Sequence, residues 1–211
     1  MAQIVDIGRR IELVPMDSHF EDITIGLYRQ DDDKGTAFLI HTYSQREGAD
    51  ERISFVKNAM QELGGMEENG DGLLRFPCGD VHLLAVKRLF VEACKLASDR
   101  AVDVRSLTIL DKKSGLNISA KSLGSGAYEI TADSNETGAD RRIRLVAGGL
   151  AKLGELDKVD GFEDRVKFAC GVDHDALVGV LLVRAPNVRS VMRELEQAAS
   201  RGVLAAPSAQ N

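Results

Sequence analysis

Ser44-Gln-Arg-Glu-Gly-Ala-Asp50 has a counterpart in Ser134-Asn-Glu-Thr-Gly-Ala-Asp140, and Phe76-Pro-Cys-Gly-Asp-Val-His82 has one in Phe168-Ala-Cys-Gly-Val-Asp-His174. Between these two matches the register holds. Arg52 faces Arg142, Ile53 faces Ile143, Val56 faces Val146, Leu63 faces Leu153 and Gly64 faces Gly154, with a two-residue insertion before the second match. Beyond it, Val86, Leu89, Val91 and Ala93 face Val178, Leu181, Val183 and Ala185. Shared apolar positions arise in any two similar helices, but a shared Gly-Ala-Asp and a shared Cys-Gly-x-x-His do not. The pattern reads as a tandem duplication.

Two copies test each assignment twice. Ala49, Ile53, Val56, Met60 and Leu63 fall on one face at helical spacing, as do Ala139, Ile143, Val146, Leu150 and Leu153. Asp50 and Asp140 stand in the first turn, where a carboxylate suits the helix dipole. Gly64 and Gly154 occupy the place a helix C-cap gives to glycine. Upstream, Ile11 to Pro15, Asp22 to Arg29 and Gly35 to Tyr43 read as three strands, and Leu107 to Asp111, Leu116 to Ser122 and Gly126 to Ala132 repeat them. Leu73 to Phe76 and Arg165 to Phe168 are short strands, each leading into a second helix. Ala176 to Val183 alone looks like a buried strand. Its counterpart Leu83 to Ala97 decides for helix, through its length and its spacing of Lys87, Arg88, Glu92 and Lys95. Gly179 and Val180 replace Lys87 and Arg88, so the later helix is apolar all round and has to be covered on every side. Pro186 interrupts it, and Asn187 to Ser200 forms a further helical segment.

The expected fold is α+β: a tandem βββαβα unit over 8–100 and 104–201, with a flexible tail over 202–211. Each unit has a mostly antiparallel sheet with helices on one face. The two copies form a pseudo-twofold pair in which the helices Asp80 to Ser98 and Asp173 to Ala185 lie at the contact. One continuous sheet through both copies is the alternative.

The composition is that of an ordinary globular protein, with 44% hydrophobic and 28% charged residues. A net charge of −6 argues against general nucleic-acid binding, which needs a basic face. The opening residues Met1 to Pro15 hold no apolar run of signal-peptide length. The longest apolar run, Ala176 to Val183, would rise only ~12 Å as helix, far short of a bilayer. Three cysteines, Cys78, Cys94 and Cys170, are too few for a disulfide-stapled secreted domain. A reduced, cytoplasmic setting is expected.

Chemistry concentrates in Cys78, Gly79, His82 and Cys170, Gly171, His174. Each Cys ends a strand, each Gly permits a sharp turn and each His opens a helix, with Asp80 and Asp173 as expected helix caps. Three functional readings follow. Thiolate and imidazole from both copies can complete a Cys₂His₂ zinc site if a pseudo-twofold axis brings Cys78, His82, Cys170 and His174 together. A thiol with a histidine base is a nucleophile. Two helix N-termini can hold a small anionic ligand or a partner carboxylate. The fourth reading is structural, a duplicated junction whose cysteines fill a tight corner, and the residues favour it. Ser54 and Lys57 match Ser-x-x-Lys without its companion motifs, and the acidic stretches Asp31 to Asp33 and Glu67 to Asp71, which lack the EF-hand pattern, read as solvated loops. His19 is placed in a loop, His41 on a surface or half-buried strand position and Cys94 in the core. The chain is thus read as a binding or interaction protein, able to form a homodimer, with a thiol- or metal-dependent enzyme as the alternative.

Overall fold

A computed structural model of the chain describes residues 11–20, 23–32, 34–96, 106–134 and 138–204. Of the tail expected over 202–211, residues 202–204 belong to the last helix instead, and residues 205–211 lie outside this set, as do residues 1–10. The first half runs β1 (Ile11–Phe20), β2 (Ile23–Asp32), β3 (Gly35–Thr42), α1 (Ala49–Gly64), β4 (Glu67–Glu68), β5 (Leu74–Arg75) and α2 (Leu83–Leu96). The second half runs β6 (Thr108–Asp111), β7 (Leu116–Gly124), β8 (Ala127–Ala132), α3 (Ala139–Gly154), β9 (Asp157–Lys158), β10 (Arg165–Lys167) and α4 (Asp175–Arg184). A single 3₁₀ turn, Ala185–Asn187, then leads into α5 (Val188–Leu204). The two halves form two separate antiparallel sheets, ordered β1-β2-β3-β5-β4 and β6-β7-β8-β10-β9, so among the described residues no continuous sheet runs through both halves.

Each half therefore has the order βββαββα rather than βββαβα. The additional strands, β4 and β9, are two residues each and pair with β5 and β10. A strand of two exposed residues carries no side-chain alternation, so nothing in the pattern announces it, and Glu67–Glu68 is sheet edge instead of loop. His19 lies within β1, which continues past an irregularity between Val14 and Asp17 instead of ending at Pro15.

One apolar core runs through both halves. Its centre is α4, where every residue from Leu177 to Leu182 is buried. The helix touches α1, α2 and α3, and also β6 and β7, which is the full cover that its all-apolar surface requires. Gly64 and Gly154 are explained by packing and not by capping. A Cβ on Gly64 would stand 2.2 Å from Leu89, and one on Gly154 would stand 2.8 Å from Leu181. These glycines bring α1 against α2 and α3 against α4. The left-handed caps are the next residues, Gly65 at φ 64° and Glu155 at φ 56°.

A second joint is ionic. Arg88 and Glu92, both within α2, are buried at 0% and 2% exposure. Arg88 bonds Glu92 and reaches Glu194 of α5 at 3.0 Å. Arg184 of α4 places Nε and Nη2 on the two oxygens of Glu92 at 3.0 and 2.8 Å. Lys95 reaches Glu194 at 2.7 Å. Three cations thus share two carboxylates where α2, α4 and α5 meet. Burial lowers the pKa of Arg88 and opposes its charge, and the carboxylate of Glu194 offsets that.

Candidate functional site

The strands β5 and β10 each run into Phe-x-Cys-Gly, and the chain turns sharply there. Gly79 N–H donates to Phe76 C=O at 3.0 Å and Gly171 N–H to Phe168 C=O at 3.1 Å. Both glycines take the left-handed conformation, at φ 80° and 71°, which a residue with a Cβ resists. The turns deliver His82 and His174 to the threshold of α2 and α4. Each histidine carbonyl accepts the first intrahelical bond, from Val86 N–H and from Val178 N–H, so both stand at the N-cap and not in the first turn. Asp80 and Asp173 do not cap these helices. Asp173 instead accepts from Ser122 Oγ at 2.9 Å and from Gly126 N–H at 2.6 Å, tying the turn to the β7–β8 hairpin.

The two turns meet. Cys78 Sγ is 3.3 Å from His82 Nε2, and Cys170 Sγ is 3.4 Å from His174 Nε2. The donor atoms of Cys78, His82, Cys170 and His174 all lie within 4.8 Å of one another, a set that can hold a metal ion. The imidazoles are buried, with ring centroids 4.9 Å apart, and Phe76 and Phe168 present their rings edgewise to both at 4.8 to 5.5 Å. The sulfurs lie on the outer side: both cysteines are partly exposed, flanked by exposed Pro77, Gly79 and Ala169. A structural junction alone called for two buried cysteines, and they are not. Val172 N–H donates to Cys170 Sγ at 3.4 Å, and the Asp80 amide does the same for Cys78.

The supports of the two histidines differ. His174 N–H donates to Tyr128 Oη at 2.7 Å, and that hydroxyl donates to Asp175 at 2.9 Å. Burial, then the Asp175 carboxylate, push the Tyr128 phenol far above its ordinary range, so it remains a hydroxyl. In the first half Phe38 and Leu83 stand at the positions of Tyr128 and Asp175, and Phe38 pairs with Leu74 as Tyr128 pairs with Val166. There the helix is served from across the molecule: Leu84 N–H donates to Glu155 Oε2 at 3.1 Å. The amides of Leu84 and His174, two of those an anion at these helix N-termini would take, are therefore engaged by the chain's own groups. His82 has a left-handed backbone at φ 40°, whereas His174 is at φ −124°.

Burial pushes the Cys78 thiol up to about 11, with the nearby Cys170 adding to it against the Asp80 amide. Burial, then the neighbouring His82, bring His174 down to about 4, and burial lowers His82 as well. A thiolate–imidazolium nucleophile needs the reverse, a lowered thiol and a raised imidazole. Neutral imidazoles beside two sulfurs are the donor types a metal ion can take. Comparison of the chain with protein-family models, with curated proteins and with solved structures returns no match.

Sequence reasoning named all four donor residues, and Gly79 and Gly171 as the turns behind them. It missed Tyr128, Asp175 and Glu155, which position the histidine-bearing helix ends. The one available signal was the paired change from Phe38 and Leu83 to Tyr128 and Asp175 between the halves. Among the other residues considered, Cys94 is buried in the core, His41 is half-buried on β3 and Lys57 pairs with Glu68. No described helix is long and apolar enough to cross a membrane.

Proposed function

We propose that the two halves are copies of one βββαββα unit, related by a pseudo-twofold axis through the Cys–His cluster, and that the chain holds one zinc ion there as a clamp between them. The observation that carries this reading is the convergence of four donor atoms, two from each half, within 4.8 Å. Bond lengths of about 2.3 Å to sulfur and 2.0–2.1 Å to nitrogen make the edges of a zinc tetrahedron roughly 3.3–3.8 Å. The separations of 3.3 and 3.4 Å within each half already meet that. Two thiolates with two imidazoles form a borderline-soft set that suits zinc over calcium or magnesium. Donors this close to one another describe one ion, not a cluster of two.

Four protein ligands fill a tetrahedron and leave no position for a substrate, so the ion's role is structural. The chain then acts by binding, as a metal-clamped interaction protein of a reducing, cytoplasmic compartment. The rival reading, a thiol- or metal-dependent enzyme, requires an open coordination position or a free thiolate beside His82 or His174.

Elemental analysis of tag-free protein tests this. One zinc per chain is expected, removable by a strong chelator with a fall in melting temperature and restored by added zinc. Protein without metal, whose melting temperature is indifferent to zinc and to chelator, overturns the reading. Zinc at one equivalent in a chain that still binds it tightly with one ligand removed would indicate an incomplete shell and favour the enzyme.

A further inference from the structure

The Cys–His cluster places its sulfur and nitrogen donors in different environments, and this bears on how the site is regulated. The imidazoles are enclosed by Phe76 and Phe168, while both cysteines are partly exposed in turns whose residues Pro77, Gly79 and Ala169 are exposed. A solute arriving from solvent meets sulfur first. The two sulfurs come from opposite halves, carry free thiols and lie within 4.8 Å of each other. A disulfide needs about 2 Å between sulfurs, so the turns have to close by less than the width of one residue. The space beside Gly79 is open, with nothing within 4 Å of where a Cβ would sit, and Gly171 meets only Ser125 C=O, at 4.0 Å. The third cysteine, Cys94, is buried in the core at 2% exposure and is not part of the cluster.

We propose that Cys78 and Cys170 form a two-electron thiol–disulfide pair that hydroperoxides oxidise, and that the disulfide releases the metal. This rests on the zinc reading given above. One thiolate attacks the terminal oxygen of the hydroperoxide. An S–O bond forms, the O–O bond breaks, and the departing alkoxide or hydroxide takes a proton. The second thiolate then attacks the sulfenic sulfur. The S–S bond forms, the S–O bond breaks, and hydroxide leaves and is protonated to water. Two thiolates lose two electrons, the peroxide gains them, and two protons are consumed. A disulfide offers no thiolate ligand, so the ion keeps only His82 and His174 and dissociates.

The experiment uses the full-length zinc-loaded chain and hydrogen peroxide. Released zinc is followed with a chromogenic chelator, thiols are counted after denaturation, and tryptic peptides are mapped by mass. Cleavage after Arg75, Lys87, Arg88, Lys95, Lys167 and Arg184 puts Cys78, Cys94 and Cys170 on three different peptides. The expected result is one zinc released for every two thiols lost, a link between the Cys78 and Cys170 peptides, and recovery of both thiols and zinc uptake with dithiothreitol. Cys94→Ser should leave all of this unchanged. Sulfinic acid without a link, a link through Cys94, or a link formed with zinc retained overturns the proposal. If the chain takes no zinc, the metal reading falls and the release step with it. Peroxide treatment of that metal-free chain then decides the thiol pair alone, by the presence or absence of the same linked peptides.

Discussion

The junctions that end in His82 and in His174 deliver the same ligands to the same place and hold them by different means. At His174 the support is a hydrogen-bonded chain, from the backbone amide to Tyr128 Oη to Asp175, all within the second half. At His82 the corresponding positions are Phe38 and Leu83, the backbone is left-handed at φ 40°, and the cap of the following helix comes from Glu155 in the other half. A backbone of that kind costs about 1–3 kcal/mol and persists only where its surroundings fix it. Glu155 is also left-handed, at φ 56°, where the first half has Gly65. The comparison teaches that Cys-Gly-x-x-His is common to both halves while its scaffolding is not. One half is locked by local hydrogen bonds and the other by strain and a contact from its neighbour.

The α2–α4–α5 joint offers the largest effect with which to break this comparison. Arg88 stands where the second half has Val180, and Glu92 where it has Arg184. Glu92→Ala leaves the buried Arg88 and the half-buried Arg184 without their shared carboxylate, so about 3–5 kcal/mol should be lost in urea unfolding. A loss below ~1 kcal/mol would mean that water already enters the joint.

Next is the lock at His174. Tyr128→Phe gives the second half the side chain of the first and strands the buried His174 amide, while exposed Asp175 turns to water, at a cost of about 1–3 kcal/mol. Adding Asp175→Leu copies the first half's pair, and the double variant should be less destabilised than the sum of the two single changes. Strict additivity would show that the hydroxyl and the carboxylate are not coupled.

A pH effect of about 2 kcal/mol should come from Asp111, at the end of β6. Burial raises its pKa, but bonds from Arg142, Ser114 Oγ and the Lys113 amide together outweigh that and hold it at about 2. The folded carboxyl thus titrates below the unfolded value of ~3.9. Its contribution is present in full above that value and is lost as pH falls toward 2. Unfolding measured across this range should show the loss in wild type and not in Asp111→Asn; equal slopes would contradict it.

The smallest effect is an ordering. Glu155→Gly removes the cap of α2 and relieves the left-handed backbone together, whereas Glu155→Ala removes the cap and keeps the strain. Alanine should be the worse of the two by ~1 kcal/mol, the reverse of ordinary helix propensity. If glycine is worse, the strain assigned to Glu155 is absent.

The features legible in the sequence follow from what a local pattern encodes. Apolar spacing from Ala49 to Leu63 and from Ala139 to Leu153 located α1 and α3, although the glycines read as their caps are the last residues inside them. The long partner α2 correctly settled the helical state of α4, whose own residues look like a buried strand. The strands β4 and β9 were hidden because two residues have no period. The spacing of Arg88 and Glu92 marked a helix but not their burial, which depends on α5 folding back from Val188 onward. The four donors were legible as residues, but their convergence depends on how the halves pack, which no stretch of one half encodes.

The central claim, one ion held jointly by both halves, is tested most directly by titrating the metal-free chain with cobalt(II) and recording its visible and near-ultraviolet spectrum. The account predicts the intense ligand-field bands of a tetrahedral ion with thiolate charge transfer, saturating at one equivalent per chain. The bands should be lost equally in Cys78→Ala and Cys170→Ala. Weak six-coordinate bands, saturation at two equivalents, or a spectrum that survives either substitution would contradict it.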